Sequence, residues 1–230
     1  MDVDALARNL RADQESVISR VAEIAAIEIP GDGVEYLVDS VRASTIRDDG
    51  LYAGVRVVME ARIATAQVKI QLDVNFGDPV TPAPRLVELP SLRDGEEHIR
   101  VRGYPIETVL AEKLATAIAL GAASTRVRDW ADVYDLTGTQ SVTYAGAREA
   151  LEATAGFRGT ALRPLSVAIG TLASIRSGTY STYRRRLGPD GERLPESFAE
   201  VVDAVIAFAD PLVDGTASYR WNHEGRHWDA

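Results

Sequence analysis

Apolar side chains at the start of the chain recur at helical spacing, at Leu6, Leu10, Val17, Val21, Ile24, Ala25 and Ile27. This period predicts a helical segment from Asp4 to about Glu28, stopped by Pro30-Gly31-Asp32-Gly33. The pattern then changes. Val34–Val41, Tyr52–Ile63 and Gln67–Phe76 are extended runs rich in valine and isoleucine, separated by short turns such as Asp48-Asp49-Gly50. They predict a small, mainly antiparallel sheet. In the third run Val68, Ile70, Leu72, Val74 and Phe76 fall on one side and Lys69, Gln71, Asp73 and Asn75 on the other, so one face meets a core and the other is polar.

Residues 78–97 contain Pro79, Pro82, Pro84 and Pro90 and end in Gly95-Glu96-Glu97, which reads as an irregular connection, with a short strand at Ile99–Val101. From Pro105 the pattern is helical as far as Gly121, with proline and Glu107 at a suitable helix start. Further helices are expected near 126–138, 143–155, 162–176 and 195–209. The order is α+β: a sheet domain over 1–103 and a helical domain over 104–230.

Composition narrows the functional classes. With 230 residues, 46% of them hydrophobic, the chain has room for one large core or two modest ones. Its net charge of −9 gives no overall field for nucleic acid, so any such contact needs a local basic patch or a bound metal ion. The absence of cysteine excludes thiolate metal sites, cysteine nucleophiles and disulfides. Leu114–Ala123, the longest apolar run, is about half of a membrane span, and the N-terminus shows no basic-then-apolar signal pattern. A cytoplasmic location away from membranes is expected. No glycine loop of the P-loop or dinucleotide type occurs.

Four groups of residues are candidates for chemistry. Asp2 and Asp4 point to one side if the chain there is extended, and Asp73 sits on the polar face of a strand. Converging carboxylates repel unless a hard divalent cation such as Mg²⁺ lies between them; on spacing alone, an acidic helix start and a solvated aspartate are the simpler account. Lys113 lies among Leu110, Ala117 and Leu120, so its ammonium reaches water at the helix margin or meets an anion such as a triphosphate. Asp129, Asp132 and Asp135 recur in three-residue steps after Arg126 and Arg128. They form a salt-bridged helix start, or Asp129 orients Lys113. Arg184, Arg185 and Arg186 near Tyr180 and Tyr183 suit RNA, or simply a solvated helix end.

Taken in order, Asp2-Val3-Asp4, the strand Val68–Val74, Ala111-Glu112-Lys113-Leu114 and Arg126-Val127-Arg128-Asp129-Trp130-Ala131-Asp132 resemble the AbiEii-type nucleotidyltransferase toxins, which include the MenT toxins. The step from Lys113 to Asp129 is the most specific part, and the resemblance covers roughly residues 1–140. It implies a DNA polymerase β-like nucleotidyltransferase sheet domain followed by a helical domain. It also implies Mg²⁺ held by Asp2, Asp4 and Asp73, nucleotide phosphates contacted by Lys113, and a supporting role for Asp129. The implied activity is transfer of NMP from an NTP to RNA, the tRNA 3′ end being one acceptor, opposed by a cognate antitoxin. Family members carry a Gly-Gly or Gly-Ser motif upstream of the Asp-x-Asp, and this chain has none. The resemblance therefore implies an N-terminally truncated sheet domain with impaired transfer. The alternative is a non-catalytic binding protein of the same ancestry that engages an antitoxin or another partner.

Overall fold

A four-stranded sheet with one helix laid against it forms the N-terminal part of the computed structural model. The structure describes residues 2–8, 10–48, 52–77, 79–91, 95, 97–216 and 219–229, with the backbone alone for 2–4, 47, 48, 52 and 53. The strands are β1 (Asp2–Ala7), β2 (Val34–Asp48), β3 (Tyr52–Ile63) and β4 (Ala66–Phe76), in the spatial order β1-β4-β3-β2. β1 pairs parallel with β4, and the other two pairings are antiparallel. The sheet is therefore mixed.

The helix expected from Asp4 to Glu28 is corrected by this arrangement. Its first part is β1, and the helix α1 spans only Gln14–Ala25. Val3, Ala5 and Ala7 stand in register with Leu72, Val74 and Phe76, so pairing with β4 overrides the helical spacing of Leu6 and Leu10. The Asp13 carboxylate caps α1 by accepting from the Ser16 backbone N–H at 2.8 Å and its hydroxyl at 3.0 Å. These bonds to Ser16 hold the Asp13 carboxyl below the ordinary range.

β2 runs past the expected end at Val41 because its register with β3 shifts between Leu37 and Arg42 and then resumes. Ser40 bridges the interruption, donating to Leu37 O at 2.6 Å and accepting from Glu60 N at 2.8 Å. Of the turn expected at Asp48-Asp49-Gly50, Asp48 ends β2 and residues 49 and 50 lie outside the described residues. Val17 of α1 meets Val41, Val55, Val57, Met59 and Val74, with Ile70, Leu72 and Phe76 at the margin. The alternation read from β4 thus separates core from polar face from Ile70 to Phe76, whereas Val68, expected on the core side, is exposed because it lies beyond the core cluster.

The chain divides into two compact units, Met1–Asp78 and Pro79–Ala230. Residues 79–103, assigned to the sheet domain from sequence, group with the helices. Arg85–Leu89 is a strand, β5, paired antiparallel with β6 (Ile99–Gly103), a correction to the irregular connection expected over 78–97. Leu86 and Ile99 are exposed on this ribbon, so no core-facing period marks it in the sequence. Residues 92–94 and 96 lie outside the described residues.

The helices are α2 (Ile106–Leu120), α3 (Val127–Thr139), α4 (Tyr144–Arg158), α5 (Leu165–Ala168), α6 (Leu172–Arg186) and α7 (Phe198–Asp214). The helix expected over 162–176 is corrected to the short α5 followed by α6. Gly170 adopts φ +49 between them, a left-handed conformation that ends one helix and lets the next begin at Leu172. α2 buries Leu110, Ala111, Leu114, Ala115 and Ile118 in the core shared by α3, α4 and α7. No helix among the described residues is long and apolar enough to cross a membrane.

A short ribbon, β7 (Trp221–Asn222) with β8 (His227–Trp228), closes this core. Trp221 is fully buried, donates from Nε1 to Thr137 O at 2.7 Å and stands edge-on to Phe208 with centroids 5.0 Å apart. Trp228 Nε1 donates to Phe208 O at 3.0 Å. Trp221→Ala removes a large buried ring and leaves the Thr137 carbonyl without its donor. The expected destabilisation is about 3–5 kcal/mol, read as a fall in the urea midpoint of the helical unit. An unchanged midpoint would show that the ribbon is not part of the core.

Candidate active site

Asp73 stands at the centre of a row that crosses three strands of the first unit. Its Cα partner on β1 is Asp4, and its Cα partner on β3 is Arg56. Arg56 binds it through both arms of the guanidinium, Nε to Oδ1 at 2.8 Å and Nη2 to Oδ2 at 2.7 Å. The Asp73 side chain is only 16% exposed against 42% for Arg56, so the pair sits at a partly shielded position on the polar face. Bidentate geometry fixes the carboxylate plane while leaving each oxygen further acceptor capacity. Asp2 occupies the register position opposite Gln71. The side chains of Asp2 and Asp4 lie outside the described residues. Among the described residues no group of three metal-ligating side chains occurs.

The second unit brings Lys113 and Asp129 together. Lys113 Nζ on α2 donates to Asp129 Oδ1 at 2.9 Å and to Asp132 Oδ2 at 2.7 Å, both on α3. The short connection after Gly121 lets α3 pack beside α2, and Trp130 and Val133 anchor the opposite side of α3 in the core. Asp129 and Asp132 fall on the remaining side by their three-residue spacing. Arg126 stands 3.5 Å from Asp129 and Arg128 3.9 Å from Asp132. Two lysine N–H groups are thereby committed, and an ammonium has a third to offer an anion.

Burial works against the charged ammonium of Lys113, but the neighbouring Asp129 and Asp132 outweigh it and hold the pKa above its ordinary value. Lys113 is therefore a fixed cation at neutral pH. Tyr183 of α6 is close enough for its phenol to feel Asp132, Arg128, Lys113 and Asp129; burial first, then Asp132, pushes its pKa up. It stays a neutral hydroxyl, a donor as well as an acceptor.

The three arginines at the end of α6 have different surroundings. Arg184 donates from Nε to Leu194 O at 3.0 Å, which ties it to its own chain. Arg185 reaches Thr182 Oγ1 at 3.4 Å, and Arg186 is exposed beside Tyr183. Sequence reasoning did not single out Arg56, whose signal is its cross-strand register, nor the second carboxylate on Lys113. The latter was available in the three-residue step from Asp129 to Asp132.

Searches among curated proteins and among solved structures returned no match. The family model of the nucleotidyl transferase AbiEii toxin, of Type IV toxin–antitoxin systems, matches residues 1–204. That match extends well past residue 140, where the motif resemblance ends, and takes in strand carboxylate, lysine cluster and α6 alike. The chain belongs to the AbiEii nucleotidyl transferase toxin family.

Proposed function

We propose that this protein is a Mg²⁺-dependent nucleotidyltransferase toxin, with a DNA polymerase β-like sheet domain, that transfers NMP from an NTP to an RNA end such as the tRNA 3′ end. Its cellular counterpart is a cognate antitoxin, and its site of action is the cytoplasm. The observation that carries this reading is Lys113, held by Asp129 and Asp132 at 2.9 and 2.7 Å with one N–H uncommitted among the described residues. A lysine fixed by two carboxylates meets a phosphate oxygen without first losing conformational freedom. Arg126 and Arg128 add positive charge to the same cluster, so the approach of a polyphosphate is favoured despite the two aspartates.

The strand residues fit Mg²⁺ by the chemistry of their donors. Asp73 offers a carboxylate of fixed plane, Asp4 is its Cα partner on the adjoining strand, and Asp2 lies two residues along the same strand. Adjacent strands run about 4.8 Å apart, and hard oxygen donors from such neighbours are what Mg²⁺ takes. Asp2, Asp4 and Asp73 are the residues that would hold it, and the ion would supply charge neutralisation of the phosphates and activation of the attacking hydroxyl. Arg56 then keeps the Asp73 carboxylate in one orientation, which lowers the ordering cost of binding a cation.

The test incubates the full chain, in excess over tRNA, with each labelled NTP in the presence of Mg²⁺ or EDTA. Label on the RNA that requires Mg²⁺ is the expected result. Folded protein that labels RNA with none of the NTPs would overturn the proposal.

A further inference from the structure

α6 carries an open depression of about 440 Å³ lined by Gly178, Thr179, Thr182, Tyr183 and Arg186. These positions share one face of the helix. The lining combines an aromatic ring, two hydroxyls and a guanidinium, without an aliphatic side chain. Such a set is poor for an apolar peptide anchor or a lipid tail. It matches a nucleotide, whose base stacks on an aromatic ring, whose sugar bonds hydroxyls and whose phosphate takes a guanidinium.

Two further observations point the same way. Gly178 lies in the middle of α6, where glycine is a poor helix former. Nothing stands within 4 Å of the place its Cβ would occupy, so no neighbour requires glycine there, and the bare backbone keeps the depression open. The Arg186 side chain, in turn, is exposed and has no hydrogen-bonded or ionic partner among the described residues. Thr182 donates to Gly178 O at 3.0 Å and accepts from Arg185 at 3.4 Å, which holds its side chain in the depression wall.

Tyr183 joins this depression to the lysine cluster. α3 packs on α6, and the Tyr183 phenol lies in the field of Lys113, Arg128, Asp129 and Asp132.

We propose that the α6 depression seats one nucleotide, its base against the Tyr183 ring and its phosphate on Arg186. The choice of a nucleotide is independent of transfer chemistry, but the use of the seat rests on the transfer reading given above. The nucleotide comes either from the NTP or from the end of an RNA strand, and the two are separable by experiment.

The full chain is titrated with each NTP and, separately, with a short fluorescent single-stranded RNA, for wild type, Tyr183→Ala, Tyr183→Phe, Arg186→Ala and Gly178→Leu. Tyr183→Ala is expected to weaken one probe about tenfold or more, with Tyr183→Phe within about twofold of wild type. Arg186→Ala weakens the same probe and reduces its salt dependence. Loss confined to the NTP assigns the seat to the donor nucleotide, and loss confined to the RNA assigns it to the acceptor. Gly178→Leu fills open space without removing any contact, so it is expected to weaken the same probe even where Tyr183→Ala fails to fold.

Wild-type affinity for both probes in folded Tyr183→Ala and Gly178→Leu would overturn the seat while leaving transfer untouched. A wild-type chain that binds neither probe would overturn it as well. Binding lost in these variants by a chain that never labels RNA would keep the seat and sink the transfer reading.

Discussion

Lys113→Ala is expected to lower nucleotide transfer by roughly 10²–10³-fold, the range for removing one preorganised cation from a developing negative charge. Lys113→Arg is expected to restore little of it. A guanidinium is planar and longer, and it cannot place one point charge between two carboxylates and a phosphate as an ammonium does. Lys113→Met tests packing alone, since it fills the same space without charge. Transfer by Lys113→Met close to wild type would remove the lysine from the reaction.

The same substitutions carry a stability signature. Asp129 and Asp132 keep only 22% and 31% of their side-chain exposure, so losing the shared cation is expected to cost about 1–3 kcal/mol. In the folded chain the Lys113 pKa lies above the ordinary lysine value, because Asp129 and Asp132 outweigh the cost of burial. Its contribution is therefore fully present below the unfolded pKa and is lost as pH rises through the higher folded value. Urea unfolding is expected to show a gap between wild type and Lys113→Met that is constant around neutrality. That gap closes in alkaline solution above about pH 10.5. A gap that varies across neutral pH would mean that another group titrates with the cluster.

Legibility in the sequence followed burial and sequence distance. The polar and apolar sides of β4 were readable because Val74 and its neighbours face a core while Asp73 does not. β1 is hidden in the sequence because its alternation is weak, and only pairing with β4 sets Ala7 against the core. β5 and β6 were missed or shortened for the opposite reason, since their apolar residues face water. Lys113 and Asp129 are 16 residues apart, a separation that two helices and a short connection bring into contact. The Arg56–Asp73 pair depends on strand register, and Tyr183 depends on helix packing across a much longer span, so neither is encoded in a local spacing. Within α6, the arginine triplet is visible as charge, but only the packing shows Arg184 tied to Leu194 and Arg186 lining the depression.

Asp73→Asn is expected to reduce transfer about 10³-fold or more, the scale of several kcal/mol of transition-state stabilisation lost with a metal-ligating carboxylate. The substitution keeps the size of the side chain and one acceptor oxygen, but it removes a negative charge and turns the second position into a donor facing Arg56. Stability is expected to change by less than about 1 kcal/mol, because Arg56 is 42% exposed and water screens the pair. Folding and activity therefore separate in this variant. Arg56→Lys gives the second arm of the test: it keeps a cation beside Asp73 but loses the two-armed grip, so the carboxylate is free to rotate. If Arg56 orients a metal ligand, Arg56→Lys raises the Mg²⁺ concentration needed for half-maximal transfer and leaves the rate at saturating Mg²⁺ nearly intact. Asp73→Asn, by contrast, is not rescued at any Mg²⁺ concentration. A purely structural salt bridge would give neither a shifted Mg²⁺ requirement in Arg56→Lys nor a rate loss in Asp73→Asn, and transfer within about tenfold of wild type in the asparagine variant would exclude Asp73 as a ligand.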